Sequence, residues 1–166
     1  MKRYLITGAS RGIGRAIAEK LASPDHQLLL HGRNKEALAK TCQLVRAKSG
    51  HAVPLSYDLR RAARVEKLIA SVGSEPLDGL IHNAGVALVK PLEKITLPER
   101  DTLFAVNVTA PFLLTQSLAA KMQPGSSIVN ILSVAAKTGF PGWSCYCMTK
   151  FALEGLSESM RYELAQ

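Results

Sequence analysis

Tryptophan occurs once and cysteine three times in this 166-residue chain, and aromatic residues make up only 5% of it. Cys42, Cys145 and Cys147 are odd in number, and their spacing matches neither a disulfide framework nor a zinc site. They read as reduced thiols, which predicts a cytoplasmic protein. His26, His31, His51 and His82 are scattered without metal-ligand spacing, so no metal is expected. No run approaches the roughly 20 apolar residues of a membrane span, so no membrane partner is expected. The opening MKRYLITGAS lacks the form of a signal peptide. Repeats, low-complexity tracts and linkers are absent as well, which leaves a single domain over 1–166.

Acidic residues are in the minority. Lysine and arginine number 21 against 13 aspartates and glutamates, a net charge of +8. The basic residues are nonetheless scattered, the longest adjacent pairs being Lys2-Arg3 and Arg60-Arg61. Nucleic-acid binding needs basic clusters with interleaved aromatics, so no nucleic-acid partner is expected. The positive field suits a phosphate-rich ligand as well as plain surface solubility.

Alternating strand and helix signals fill the chain. Arg3–Ile6 reads as a strand, and Ile13, Ala16, Ile17 and Leu21 recur at helical spacing up to Pro24. Gln27–His31 is a buried strand, and Asn34 caps a helix carrying Leu38, Cys42 and Val45. Ala52–Leu55 is a third strand, followed by a helix with Val65, Leu68, Ile69 and Val72 on one face. Leu77–His82 is a fourth strand, about 98–122 a long helix, Ser127–Leu132 a fifth strand, and about 145 to the end a last helix. Such alternation predicts an α/β fold, a doubly wound parallel sheet of five strands with helices on both faces.

Between the first strand and the first helix stands Thr7-Gly8-Ala9-Ser10-Arg11-Gly12-Ile13-Gly14. Gly8 permits a tight turn, Gly12 lets backbone approach a phosphate, and Gly14 lets helix and strand pack closely. The helix N-terminus offers free N–H groups to a pyrophosphate. An NAD-binding site places a carboxylate after the second strand. Here that place reads His31-Gly32-Arg33-Asn34, with no carboxylate. Arg33, with Arg11, suits a ribose 2′-phosphate through a planar fork. NADP(H) is therefore expected ahead of NAD(H).

Tyr146 and Lys150 are four residues apart and share a helix face. A phenol beside an ammonium gives up its proton more readily. Tyr146 then serves as general acid toward a carbonyl oxygen, or general base toward an alcohol. Ser133 is placed to hydrogen-bond the same oxygen. Pro111 lies four residues after Asn107 and has no N–H, so the Asn107 carbonyl loses its helical donor. Either an ordered water takes that carbonyl and starts a proton relay toward Lys150, or the helix merely kinks.

Taken together, these motifs resemble the short-chain dehydrogenase/reductase family over the whole chain. The resemblance implies a Rossmann fold and an NAD(P)-dependent oxidoreductase acting on a small-molecule carbonyl or alcohol. TGASRGIG, with Gly8, Ser10, Arg11, Gly12, Ile13 and Gly14, is similar to the family's cofactor turn. By the same resemblance Asp58, followed by Leu59, contacts the adenine. Asn83-Ala84-Gly85 stabilises the central sheet and lines the adenosine side. Asn107, Ser133, Tyr146 and Lys150 match the catalytic tetrad, with Tyr146 and Lys150 also gripping the nicotinamide ribose. The resemblance implies a homodimer or homotetramer as well. Family members add a sixth strand, a substrate lid and a seventh strand, none of which follows here. Two readings stay open: a portion of a longer reductase, or a truncated non-catalytic dinucleotide-binding or assembly subunit.

Overall fold

The computed structural model describes residues 1–164. Five parallel strands form one sheet: β1 (Lys2–Ile6), β2 (His26–His31), β3 (His51–Leu55), β4 (Leu77–His82) and β5 (Met122–Asn130), in the order β3-β2-β1-β4-β5. Helices α1 (Gly12–Leu21), α2 (Lys35–Ala47) and α3 (Ala62–Val72) make the first crossovers. α4 (Leu97–Phe104) and α5 (Ala110–Leu118) make the next, and α6 (Ser144–Glu163) closes the described chain. The order turns outward in both directions from β1, which makes the doubly wound α/β sheet that the alternation predicts.

Successive strand residues are apolar because both faces of the sheet are covered. Leu5, Leu29 and Leu80 point into one core with Val65, Leu68, Val72, Val106, Leu114 and Leu118 of α3 and the α4–α5 run. Their neighbours Ile6, Leu28, Leu30 and Ile81 point into the other, with Ala18, Leu38, Cys42 and Val45 of α1 and α2. α6 packs on α4 and on the turn between α4 and α5. Asn34 caps α2 as expected, its Oδ1 accepting from Ala37 N at 2.7 Å.

Two elements differ from their sequence reading. The long helix expected over 98–122 is interrupted by a π segment, Ala105–Thr109, where the Ala110 N–H reaches back to the Ala105 carbonyl. Pro111 cannot donate to the Asn107 carbonyl, and a wider turn at this point re-registers the ladder. The fifth strand runs Met122–Asn130 rather than Ser127–Leu132. Its register against β4 jumps from Leu77↔Met122 to Gly79↔Ser127, so Pro124 and Gly125 bulge out within the strand instead of preceding it. Ser126 closes the bulge by donating to Leu77 O at 3.0 Å.

The run Leu97–Lys121 is 25 residues long and contains an 18-residue window of mean hydropathy 1.4, enough by length and composition to cross a membrane. That corrects the expectation that no stretch reaches such a length. Its apolar side chains Leu103, Val106, Leu114 and Leu118 are core residues of the α/β layer.

Candidate active site

The C-terminal ends of β1 and β4 are fastened together around the glycine turn. Thr7 Oγ1 accepts from Asn83 N and Ala84 N at 3.0 and 3.1 Å, and donates to Ile81 O at 3.2 Å. Asn83 Nδ2 donates to Thr7 O and Gly8 O, both at 3.0 Å. Gly8 has φ +70, and a Cβ there would lie 2.8 Å from the Ala84 Cα. Only glycine meets both demands. Gly14 packs its bare Cα against Asn83 Nδ2 and Gly8 O, the helix–strand approach read from its spacing.

Other residues that secure the turn escaped the sequence reading. Thr41 Oγ1 donates to Ala9 O at 2.9 Å, and Arg15 Nη2 donates to Ser10 O at 2.5 Å. The buried His31 accepts weakly from Gly8 N at its Nδ1, 3.4 Å away, and its Nε2–H donates to Tyr57 O at 3.0 Å. Burial pushes the His31 imidazole below its ordinary pKa, in keeping with that neutral tautomer. Gly32 is pressed onto the Ser10 side chain, leaving no room for a Cβ. His31 and Gly32 stand at the end of β2, where open α/β sheets bind ligands; that position was the available signal.

These turns border an open cleft of about 1310 Å³. It is lined by Gly8, Ser10, Arg11, Gly12, Ile13, Arg33, Asp58, Leu59, Asn83, Ala84 and Gly85, every expected cofactor residue among 1–85 except Gly14 behind the turn. Lys35, Arg60, Arg61 and Arg64 add further positive charge to its walls. The N-terminus of α1 has no side-chain cap and no acidic residue in its first turn, so its N–H groups open toward the cleft. Leu59 is a core side chain. Asp58 does not cap α3; it takes Arg60 in a two-oxygen ion pair at 2.6–2.9 Å. The Arg60 guanidinium holds the Asp58 carboxyl down to about 2.

The remaining candidates form a second cluster. Ser133 stands beyond β5 as the cap of a 3₁₀ turn, Val134–Ala136, and its Oγ accepts from Ala135 N at 3.2 Å. Tyr146 and Lys150 share the first turns of α6, with the Lys150 ammonium 5.7 Å from the Tyr146 ring centroid. Lys150 is buried and donates to Ile131 O at 2.9 Å; desolvation lowers its pKa. The Asn107 side chain is fully engaged. Its Oδ1 accepts from Val86 N at 2.9 Å, and its Nδ2 donates to Val86 O at 2.8 Å and to Thr149 Oγ1 at 3.0 Å. Ser133, Tyr146, Lys150 and Asn107 are not part of the cleft lining. Gly85 joins the two sets: it lines the cleft, and a Cβ on it would sit 3.5 Å from Asn107 Oδ1 and 4.0 Å from Lys150 Nζ. Among the described residues no group of three or more His, Cys, Asp or Glu is placed to hold a metal.

The family profile of short chain dehydrogenases matches residues 2–166. This chain belongs to that family. It is 35% identical over 167 residues to the ketoacyl reductase HetN of a Nostoc species, covering 98% of this chain and 58% of HetN. It is 33% identical over 171 residues to an L-2,3-butanediol dehydrogenase of Corynebacterium glutamicum, covering 99% of this chain and 66% of that enzyme. The chain thus spans 58% and 66% of the length of these relatives. The crystal structure of the angucycline C-6 ketoreductase LanV with bound NADP superposes with a TM-score of 0.92 at 32% identity, covering 99% of this chain and 67% of LanV.

Proposed function

We propose that the chain, acting as one dinucleotide-binding domain, holds NADP(H) in its cleft and serves the interconversion of a ketone or aldehyde with its alcohol. Gly85 is the observation that carries this reading. A ligand filling the cleft up to Gly85 ends beside Lys150 and, through it, Tyr146. The residues present fit such a ligand. The uncapped α1 terminus suits a pyrophosphate. Arg33 and Arg11, with no carboxylate in 31–34, suit a 2′-phosphate. NADP in the LanV structure supports the same choice.

When bound, the nicotinamide supplies or accepts the hydride. This chain's residues handle the proton. Tyr146 gives its phenolic proton to the carbonyl oxygen in reduction and recovers one in oxidation. The Lys150 ammonium favours the phenolate form that Tyr146 passes through. Ser133 already accepts from Ala135 N, so its hydroxyl hydrogen remains free to donate to the substrate oxygen. The Asn107 side chain is committed to Val86 and Thr149, so its part in proton transfer falls to the backbone carbonyl that Pro111 leaves without a donor four residues on. Phe112 on α5 and Met148 and Phe151 on α6 are exposed and support self-association into a dimer or tetramer.

The test is a calorimetric titration with NADPH and NADH, followed by carbonyl turnover in wild type and Tyr146→Phe. NADPH-selective binding is expected, together with a loss of roughly 10²–10⁴-fold in turnover in the variant and unchanged cofactor affinity. Turnover that survives in Tyr146→Phe removes Tyr146 from its role. Cofactor binding without turnover in any longer form of the protein favours the non-catalytic subunit instead.

A further inference from the structure

The loops beside Tyr146 have a composition unlike that of the cofactor cleft. Segment 86–91 reads Val-Ala-Leu-Val-Lys-Pro, and segment 134–143 reads Val-Ala-Ala-Lys-Thr-Gly-Phe-Pro-Gly-Trp. Their only charged residues are Lys90 and Lys137. Both are neutralised within the chain. Lys90 Nζ donates to both Glu99 carboxylate oxygens at 2.8 Å, and Lys137 pairs with Glu154. The Lys90 ammonium and the Thr96 cap hold the Glu99 carboxyl down to about 2, so the pair is ionised at neutral pH.

The two segments are also fastened to each other. Lys90 N donates to Gly142 O at 2.8 Å, and a Cβ on Gly142 would lie 3.5 Å from Val89 Cγ1. Trp143 then stacks edge-on against Tyr146, with ring centroids 5.4 Å apart. Around this tied pair Val134 is 69% exposed, Val89 61% and Phe140 43%. Val134 directly follows Ser133. Exposed apolar side chains, with no free charge in either loop, therefore flank the two candidate groups for the carbonyl oxygen: Val134 beside Ser133, and Val89 and Phe140 about the segment that brings Trp143 onto Tyr146. Isolated exposed apolar residues need no explanation, but three flanking one reactive centre do.

We infer that the carbonyl compound taken at this site is an uncharged ketone carrying a bulky apolar group, which rests on Val134, Val89, Phe140 and the edge of Trp143. The inference builds on the carbonyl chemistry proposed above. A carboxylate or phosphate on the substrate would find no unpaired cation in these loops and would lose its hydration. The basic wall of Arg33, Arg60 and Arg61 belongs to the other cleft and does not serve it.

Trp143 is the sole tryptophan, so its emission reports directly on this surface. The probes are cyclohexyl methyl ketone and acetoacetate, titrated without cofactor, with NADPH affinity measured separately by calorimetry. The apolar ketone should bind about tenfold or more tightly than acetoacetate. The double variant Val134→Asp, Phe140→Asp should weaken the apolar ketone by about tenfold and leave NADPH affinity within about twofold. Equal or tighter binding of acetoacetate overturns the inference. So does a Trp143 signal indifferent to both ketones while NADPH binds, an outcome that spares the cofactor reading. Emission that shifts on dilution without any ketone assigns the surface to a second copy of the chain and also overturns it. Ketone binding that obeys the variants while NADPH fails to bind keeps this inference and removes the cofactor assignment.

Discussion

The Asn107 side-chain amide donates to Thr149 Oγ1 at 3.0 Å, joining the π turn to α6 one residue before Lys150. The same amide group brackets Val86, accepting from its N–H and donating to its carbonyl. One buried side chain thus sets the spacing between the loop after β4, the π turn and the helix that carries Tyr146 and Lys150.

Replacing Asn107 by alanine leaves the Val86 N–H and carbonyl without partners. A fully buried orphan costs about 1–3 kcal/mol; Val86 is half-buried, so each of its two groups falls at the low end and a loss of about 2 kcal/mol is expected. Thr149→Val removes one bond and should cost about 1 kcal/mol. Urea unfolding with an unchanged denaturant slope measures both. A loss under about 0.5 kcal/mol in Asn107→Ala would mean that water satisfies Val86 unaided.

Gly8 and Gly32 both flank the cofactor turn but for different reasons. At Gly8 an added methyl meets the Ala84 backbone, and the residue sits at φ +70. Overpacking of about 1–3 kcal/mol and a left-handed backbone penalty of about 1–2 kcal/mol then combine in Gly8→Ala. At Gly32 the methyl meets the Ser10 side chain, which can be removed. Gly32→Ala should therefore be rescued by Ser10→Gly, whereas no single partner rescues Gly8→Ala. A double-mutant cycle on thermal stability reads the coupling, and additivity at Gly32 and Ser10 would contradict the contact.

Arg33 lines the cleft at the end of β2. A charge-assisted contact to a 2′-phosphate is worth about 1.5–3 kcal/mol, so Arg33→Asp should cost NADPH tenfold or more in affinity and improve NADH. Paired titrations of both cofactors decide the matter; an unchanged ratio would release Arg33 from cofactor choice.

Acid should destabilise the fold in two windows that overlap between 3.8 and about 3. His82 is fully buried, its Nε2 paired with Thr115 Oγ1 at 2.9 Å, and desolvation lowers its pKa from 6.5 to about 3. Between those values the unfolded chain binds a proton that the native chain refuses, so stability falls as pH drops below 6.5. His31 acts in the same direction, also through burial, with Arg33 and Asp58 as its charged neighbours. The slope should approach about 1.4 kcal/mol per pH unit for His82, with His31 adding in the same sense, and His82→Gln should flatten it. Asp58, lowered from 3.8 to about 2 chiefly by its bond to Arg60, contributes stability that is full above 3.8 and lost as pH falls through about 2. Arg60→Ala should shrink the Asp58 part of that second window and leave the part that Glu99, held down to about 2 by Lys90, contributes. Urea midpoints across the pH range separate the two; a flat profile between pH 6.5 and 4 would show that neither histidine is held neutral.

Sequence alone determined the alternation of strands and helices, because apolar pairs such as Leu28-Leu29 and Leu80-Ile81 must be buried on both faces of a sheet. It also determined the glycine turn at the end of β1 and the family, since local spacing fixes both. The capping of α2 by Asn34 was legible for the same reason. Tertiary structure decided what depends on partners far along the chain. Asn83 reaches back to Thr7 and Gly8, His31 bridges Gly8 and Tyr57, and Asn107 clamps Val86 to Thr149. No local pattern announces such bonds, because their two ends are brought together only by the packing of the sheet. The bulge in β5 and the π turn fall between the two cases. Pro124-Gly125 and Pro111 mark irregularity in the sequence, but only pairing with β4 and packing within the helix layer choose its form.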